Sequence, residues 1–187
     1  MAGHLEVLEF WFDAPRGARR RRWFEKDPAF DAQIRARFLP LHEALARGEH
    51  ARWLDDAQSC LACIVALDQF PRNMFRGTPR AFSADALALQ AARHAVDEGY
   101  DRTLLPVERL FAYLPFEHSE ALGDQERACE LFRPLAAFPE TDDAYRYAVA
   151  HRDIIARFGR FPHRNAILGR ASTAAELEFL SQPGSGF

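Results

Sequence analysis

The sequence predicts an all-α fold of stacked antiparallel helical hairpins. Apolar residues recur at helical spacing through most of the chain, and no stretch alternates apolar and polar residues for long enough to form a strand. Glycines and prolines fall between the helical patterns, and short turns join successive helices, which favours antiparallel pairs. No clean 34-residue period is found. We expect one domain over residues 1–187, with a frayed tail after about residue 181.

The first half of the chain carries four helical patterns. Asp27 fits an N-cap, with a proline in the first turn after it, and Gly99 fits the end of the fourth helix. The third pattern is almost entirely apolar, which predicts a central buried helix. The patterns cover His4 to Phe12, Pro28 to Gly48, Cys60 to Leu67 and, after a Ser83 cap, about residue 84 to Glu98.

Four more patterns follow. Pro115 is expected to interrupt the first of them, and Gly159 to end the third. Thr173 and Glu176 have the spacing of a capping box at the start of the last. The patterns run from Leu104 to Leu114, from Leu122 to Leu135, from Thr141 or Asp142 to Phe158, and from Thr173 to about Leu180.

Charge and cysteine content exclude several classes of protein. The 24 basic and 27 acidic residues give a net charge of −3, so nucleic acid and anionic membrane are not expected partners. The chain opens without a secretion signal and has no apolar run long enough for a membrane helix, which predicts a soluble cytoplasmic protein. Cys60 and Cys63 form a C-x-x-C inside an apolar helix, which favours core residues over a redox or zinc motif.

Three segments place polar and aromatic residues where we expect the chain to bend: Asp68–Thr78, Pro115–Glu120 and Arg157–Arg170. The first contains Phe-Pro-Arg-Asn at 70–73, and the third repeats it as Phe-Pro-His-Arg-Asn at 161–165. Sites are often built on connectors of this kind. We therefore expect the three segments to line one groove.

Forked guanidinium donors in these segments suit an anion, and Glu117, His118 and His163 are candidates for moving a proton. The alternative is structural: the same side chains pair with one another and hold the bends. No metal or cofactor signature is complete, so none is predicted. The candidate ligand-binding residues are Asp68, Arg72, Asn73, Arg76, Arg160, Arg164 and Asn165.

The segments DQFPRNMFRGTPRAF, ERLFAYLPFEHSE and RFGRFPHRNAILGRAST together closely resemble the bacterial domain-of-unknown-function family numbered 924. The resemblance extends from VLEFWF near the start to ELEFL near the end, so it covers nearly the whole chain. It implies an all-helical fold similar to tetratricopeptide-like hairpins. It implies no reaction.

Two functions remain open. The first is a module that binds a peptide, a protein partner or an anionic ligand in the expected groove, as stacked hairpins do on their concave faces. The second is a small cofactor-free enzyme acting on an anionic metabolite, with His118 or His163 as acid or base. The sequence favours binding, because no nucleophile, metal set or cofactor loop is present. A deep closed pocket would favour the enzyme, and a broad open groove the module.

Overall fold

The computed structural model describes residues 2–13, 15–49 and 51–186, and the ends of the predicted domain, Met1 and Phe187, lie outside these ranges. The described residues form α-helices, short 3-10 turns and connecting loops, with no strand among them. The all-α prediction is therefore confirmed. The α-helices are α1 (His4–Phe12), α2 (Pro28–Ala46), α3 (Ala57–Met74), α4 (Asp85–Asp97), α5 (Pro106–His118), α6 (Leu122–Phe132), α7 (Ala144–Phe158) and α8 (Ala174–Leu180).

Helix α3 is the centre of the molecule, as its apolar sequence predicted. It packs against α1, α2, α4 and α5, and every residue from Ser59 to Phe70 is buried. From α2 to α7, each helix packs against the next one along the chain. This arrangement is the predicted stack of antiparallel hairpins, because short connections leave successive helices side by side.

An aromatic cluster fixes α1 and α2 against α3 and α5. The ring of Trp11 lies 5.8 Å from that of Phe70 and 5.4 Å from that of Phe111, edge to face in both cases. Phe38 stacks on Phe70 at 4.7 Å. None of the four side chains is exposed to solvent, and burial of rings this large is the dominant favourable term in such a core.

Two predicted interruptions are wrong. α3 continues through Pro71 to Met74, and α5 continues through Pro115 to His118. A proline inside a helix removes one backbone hydrogen bond, but a helix buried against several neighbours tolerates that loss. The DQFPRN segment therefore forms the end of α3 rather than a bend, and in PFEHSE only Ser119 and Glu120 lie beyond α5.

The predicted helix caps are partly right. Asp27 accepts hydrogen bonds from two backbone amides at the start of α2, and Thr173 and Glu176 form the expected capping box of α8. Ser83 and Thr141 do not cap α4 and α7. Their hydroxyls instead donate to backbone carbonyls of the preceding turns, which satisfies those carbonyls and leaves both helix starts without a side-chain cap.

Glycine ends α7 as expected. Gly159 has φ of +69°, a conformation that other residues adopt with strain, and its amide donates to the carbonyl of Ile155. The chain then turns through Pro162–Arg164. No helix in the described residues has the length and apolar content that a membrane span requires. Residues 182–186 after α8 contain no helix.

Thiol labelling tests the core assignment of the C-x-x-C pair. Cys60 and Cys63 are buried and unbridged, and burial raises the pKa of each thiol to about 12. At pH 8 the native protein should therefore react with a thiol reagent roughly a thousand-fold more slowly than an exposed cysteine does. In denaturant, both thiols should react promptly with the reagent. Prompt labelling of the native protein at either residue would contradict the assignment.

Candidate functional site

Parts of the three motif segments meet at one place. The end of α3, the end of α5 and the turn after α7 contribute Asp68, Arg72, His118 and Arg164, and Asp85 joins them from the first turn of α4. We call these five residues the Asp68 cluster. The turn after α7 is tied to α5 directly, since Nη1 of Arg164 donates to the carbonyl of His118 at 3.1 Å.

Asp68 is a fully buried carboxylate with two hydrogen-bond donors and one arginine as an ion-pair partner. It accepts a hydrogen bond from Nδ1 of His118 at 2.7 Å and one from Nε2 of Gln69 at 2.6 Å. Nη1 of Arg72, one helical turn later, lies 3.1 Å from it. Burial disfavours the ionised form, yet the charge of Arg72 and the bond from His118 hold the pKa of Asp68 well below its usual range. Asp68 is therefore ionised at neutral pH.

His118 is oriented by this carboxylate. Because Nδ1 donates its proton to Asp68, the neutral ring carries its lone pair on Nε2. The described part of the chain offers no hydrogen-bond partner to Nε2, and the side chain is 14% exposed. Burial, together with the charge of Arg72, lowers the pKa of His118. The ring is thus neutral at pH 7 and able to accept a proton at its exposed edge.

Two arginines from the paired sequence motifs surround Asp85. Arg72 forms a fork with it, at 2.8 and 3.0 Å, whereas Nη1 of Arg164 lies 3.6 Å from its nearer oxygen. Both guanidinium groups lie over the ring of Phe82, at 5.6 and 4.7 Å from its centre, and Arg164 also lies over Phe161 at 4.6 Å. Both arginines of the cluster therefore lie against an aromatic face, with Asp85 between them.

Glu117 faces the interior, away from this edge. Its carboxyl oxygen lies 3.2 Å from Nδ1 of His151 on α7. Burial, reinforced by the charge of Asp68, raises the pKa of Glu117 to about 8, and burial lowers the pKa of His151 to about 3. The pair is neutral at pH 7, with the proton on the carboxyl group. Glu117 is thus a buried structural acid next to the cluster.

His163 is separate from the Asp68 carboxylate. Its ring packs against Phe161, with the centroids 5.4 Å apart. Burial, together with the charge of Arg164, lowers the pKa of His163 to about 4. Burial lowers the pKa of both histidines, but His118 is the one whose Nδ1 is bonded to a buried carboxylate that can stabilise its imidazolium, so the geometry favours His118 over His163 as the group that exchanges a proton.

Asn73 and Arg76, which the sequence assigned to ligand binding, bond to a carboxylate of α2. The amide of Asn73 donates to Asp31 at 2.7 Å, and Arg76 donates to the same carboxylate at 2.6 and 3.0 Å. These contacts are of the kind that the structural alternative describes, with Asp31 as the shared partner. Both residues fasten the end of α3 to α2.

Arg160 and Asn165 hold the carboxyl-terminal segment. Arg160 forms a fork with Glu176 of α8 at 2.7 and 2.8 Å, and Asn165 donates to the hydroxyl of Ser172 at 3.0 Å. Their side chains therefore secure the chain after the turn. Of the seven candidate ligand-binding residues, Asp68, Arg72 and Arg164 come together in the cluster.

Sequence reasoning missed three residues at the site. Gln125 of α6 is fully buried and donates to the carbonyls of Glu117 and Ser119, both at 2.6 Å, so it holds the end of α5 where helical carbonyls lack partners. A glutamine inside a helix gives no sequence signal. Phe82 and Asp85 lie just after the first motif segment, and their roles depend on contacts that only the fold creates.

Two surface depressions lie outside the cluster. One, of about 380 Å³, is lined by α1 and the loop after it, including Leu5, Phe12 and Arg16. The other, of about 520 Å³, lies between the end of α7 and α8 and includes Arg160 and Glu176. The three motif segments therefore do not line either depression together. Within the described ranges, no three histidine, cysteine or acidic side chains are grouped as metal ligands.

Replacing Glu117 by glutamine should change how stability depends on pH. In wild type the raised pKa of Glu117 means that its stabilising contribution is complete below about pH 4.5 and is lost as the pH rises to about 8. Glutamine stays neutral, so the free energy of unfolding of Glu117→Gln, relative to that of wild type, should rise by about 2 to 4 kcal/mol as the pH increases from 5 to 8.5.

Chemical denaturation at several pH values measures the difference. Glu126→Gln, on the exposed side of α6, is the matched control, and its stability relative to wild type should not change with pH. Parallel curves for wild type and Glu117→Gln across this range would show that Glu117 is ionised in the folded protein.

Comparison with known proteins agrees with the fold. A family model described as bacterial protein of unknown function (DUF924) matches residues 7–184. The chain is also similar to the solved structure of a protein of unknown function, ATU0120, from Agrobacterium tumefaciens, with 43% identity and a TM-score of 0.87. That match covers 95% of this chain and 96% of the other. No curated protein matches. The chain therefore belongs to the bacterial DUF924 family, as the resemblance of its three motifs indicated.

Proposed function

We propose that this protein binds a small anionic molecule at the Asp68 cluster and exchanges a proton with it through His118. One observation carries the proposal: a buried, ionised aspartate fixes one ring nitrogen of His118, while the other nitrogen has no hydrogen-bond partner among the described residues and the side chain is partly exposed. This is the arrangement by which an acid–base histidine is oriented.

The roles of the residues follow from their positions. Nε2 of His118 accepts the proton, and Asp68 stabilises the imidazolium that then forms. Arg72 and Arg164 supply the guanidinium donors that bond to a ligand anion. Asp68 and Gln125 act as positioning residues, since each holds a part of His118 or of the helix end that carries it.

The geometry favours proton exchange over passive binding. A site that only holds an anion does not need a histidine locked in one tautomer with its second nitrogen exposed. A peptide-binding role for the hairpin stack is the second candidate. It is favoured by the depression beside α1, where Leu5 is largely exposed next to Leu8 and Phe12, with charged side chains around them.

A ligand screen by thermal unfolding tests the proposal. Small carboxylates, phosphates and acidic peptides are added to wild type, to His118→Gln and to His94→Gln at pH 5.5 and 7.5. His94 is the matched control, because it is half-buried on α4 and its Nε2 is hydrogen-bonded to the backbone carbonyl of Leu54. A ligand at 100 times its Kd should add about 2.7 kcal/mol of stability.

We expect the best ligand to stabilise wild type and His94→Gln in a pH-dependent manner, because the bound anion interacts with the protonation of His118. His118→Gln should lose that pH dependence and most of the stabilisation. Equal responses of His118→Gln and wild type at both pH values would rule out His118 as the proton-exchanging group. If only peptides stabilise the protein, and His118→Gln does not change their effect, the peptide-binding role is favoured.

A further inference from the structure

We propose that the anion is a monocarboxylate and that Asp85 occupies its place in the unliganded protein. Asp85 would act as an internal competitor that the ligand's carboxylate displaces from between Arg72 and Arg164. This inference rests on the proposed function, because it concerns the same site. It specifies the chemical class of the ligand and a contact that holds the site closed.

Arg164 lacks a full set of hydrogen-bond partners. It is 7% exposed, and among the described residues its Nε has no hydrogen-bond partner. Nη1 donates to the carbonyl of His118, and the nearest oxygen of Asp85 is 3.6 Å away, beyond hydrogen-bond distance. Buried guanidinium groups are normally bonded at most of their donors. The Nε donor of Arg164 is therefore unsatisfied and buried, so a ligand can bond to it only when a neighbouring side chain such as Asp85 moves aside.

Asp85 shows what fits beside these arginines. Its carboxylate is held in a fork by Arg72, with the ring of Phe82 alongside both guanidinium groups. A planar carboxylate matches this fork, and the aromatic face favours a flat, weakly hydrated partner. Asp85 is 23% exposed, and rotation of its side chain would carry the carboxylate into solvent without moving α4.

Charge favours a single negative charge on the ligand. With Asp85 in place, two arginines are balanced by two aspartates, and His118 is neutral. When Asp85 turns outward, the remaining pair of guanidinium groups and Asp68 leave one uncompensated positive charge. A monocarboxylate restores neutrality, whereas a doubly charged phosphate reverses it in a partly buried site, where unpaired charge is costly.

The position of Arg164 links this anchor to the proton exchange. Its Nη1 bonds the backbone of His118, the residue whose ring carries the exposed lone pair. A carboxylate bound by Arg164 therefore lies near the end of α5 that carries the acid–base residue. The substrate class is a small carboxylic acid with an exchangeable proton near its carboxylate.

Chemical rescue of Asp85→Ala tests the inference. Removing the Asp85 side chain should lower the melting temperature, because Arg72 and Arg164 lose their shared partner. Formate and acetate, compared with chloride at equal ionic strength, should restore most of that loss. They should bind Asp85→Ala roughly tenfold more tightly than wild type, in which Asp85 competes. Asp85→Asn keeps the shape of the side chain and provides the measurement if the alanine variant does not fold.

The control is Asp31→Ala, which also removes a carboxylate shared by an arginine and a second donor. Because Arg76 is more exposed there, rescue by formate should be much weaker. A second control, Asp85→Ala with Arg164→Gln, should lose the rescue. Equal effects of chloride and acetate on Asp85→Ala, or equal rescue of Asp31→Ala, would overturn the inference. Better rescue by phosphate than by acetate would overturn the carboxylate class.

The same variants separate this inference from the proposed function. If rescue fails while ligand stabilisation still depends on His118, the competitor role of Asp85 is wrong and the acid–base site stands. If rescue succeeds while His118→Gln responds to every ligand as wild type does, the carboxylate site stands and proton exchange is wrong.

Discussion

A buried, ionised carboxylate constrains the centre of this structure. Asp68 lies on the central helix with no exposed surface, and an isolated charge there would cost several kcal/mol. Donors from its own helix and from α5 remove that cost, and removing one of them should leave an uncompensated charge. The end of α5 must therefore stay in register with the end of α3. Gln125 reinforces this register by holding the α5 carbonyls.

The same interaction creates the reactive edge. A hydrogen bond to Asp68 stabilises the folded chain and at the same time selects the tautomer of His118 that leaves Nε2 free. Arg72, which pairs with Asp68, also bonds to Asp85. Arg164, from the turn after α7, lies on the other side of Asp85. Structural and functional readings of these residues are thus complementary, because one polar network provides both.

Periodicity predicted the helices and the central place of α3, since burial on several sides leaves a continuous apolar run. It failed at Pro71 and Pro115, where packing against neighbouring helices outweighs a local breaker. The motifs predicted part of the cluster. They also assigned Arg76 to a ligand, because the sequence around an arginine does not reveal that Asp31, far back along the chain, lies opposite it. The role of Asp85 arises in the same long-range manner.

The protonation state of the His118 ring tests the central claim most directly. Nitrogen-15 chemical shifts of the histidine rings, recorded from pH 4.5 to 8.5 and assigned with His118→Gln, report which ring nitrogen carries the proton. Because Asp68 accepts from Nδ1 while burial and Arg72 lower the pKa of His118, we expect Nδ1 protonated and Nε2 bare at pH 7, with a pKa below its ordinary value. A proton on Nε2 alone, or on both nitrogens at pH 7, would contradict the account.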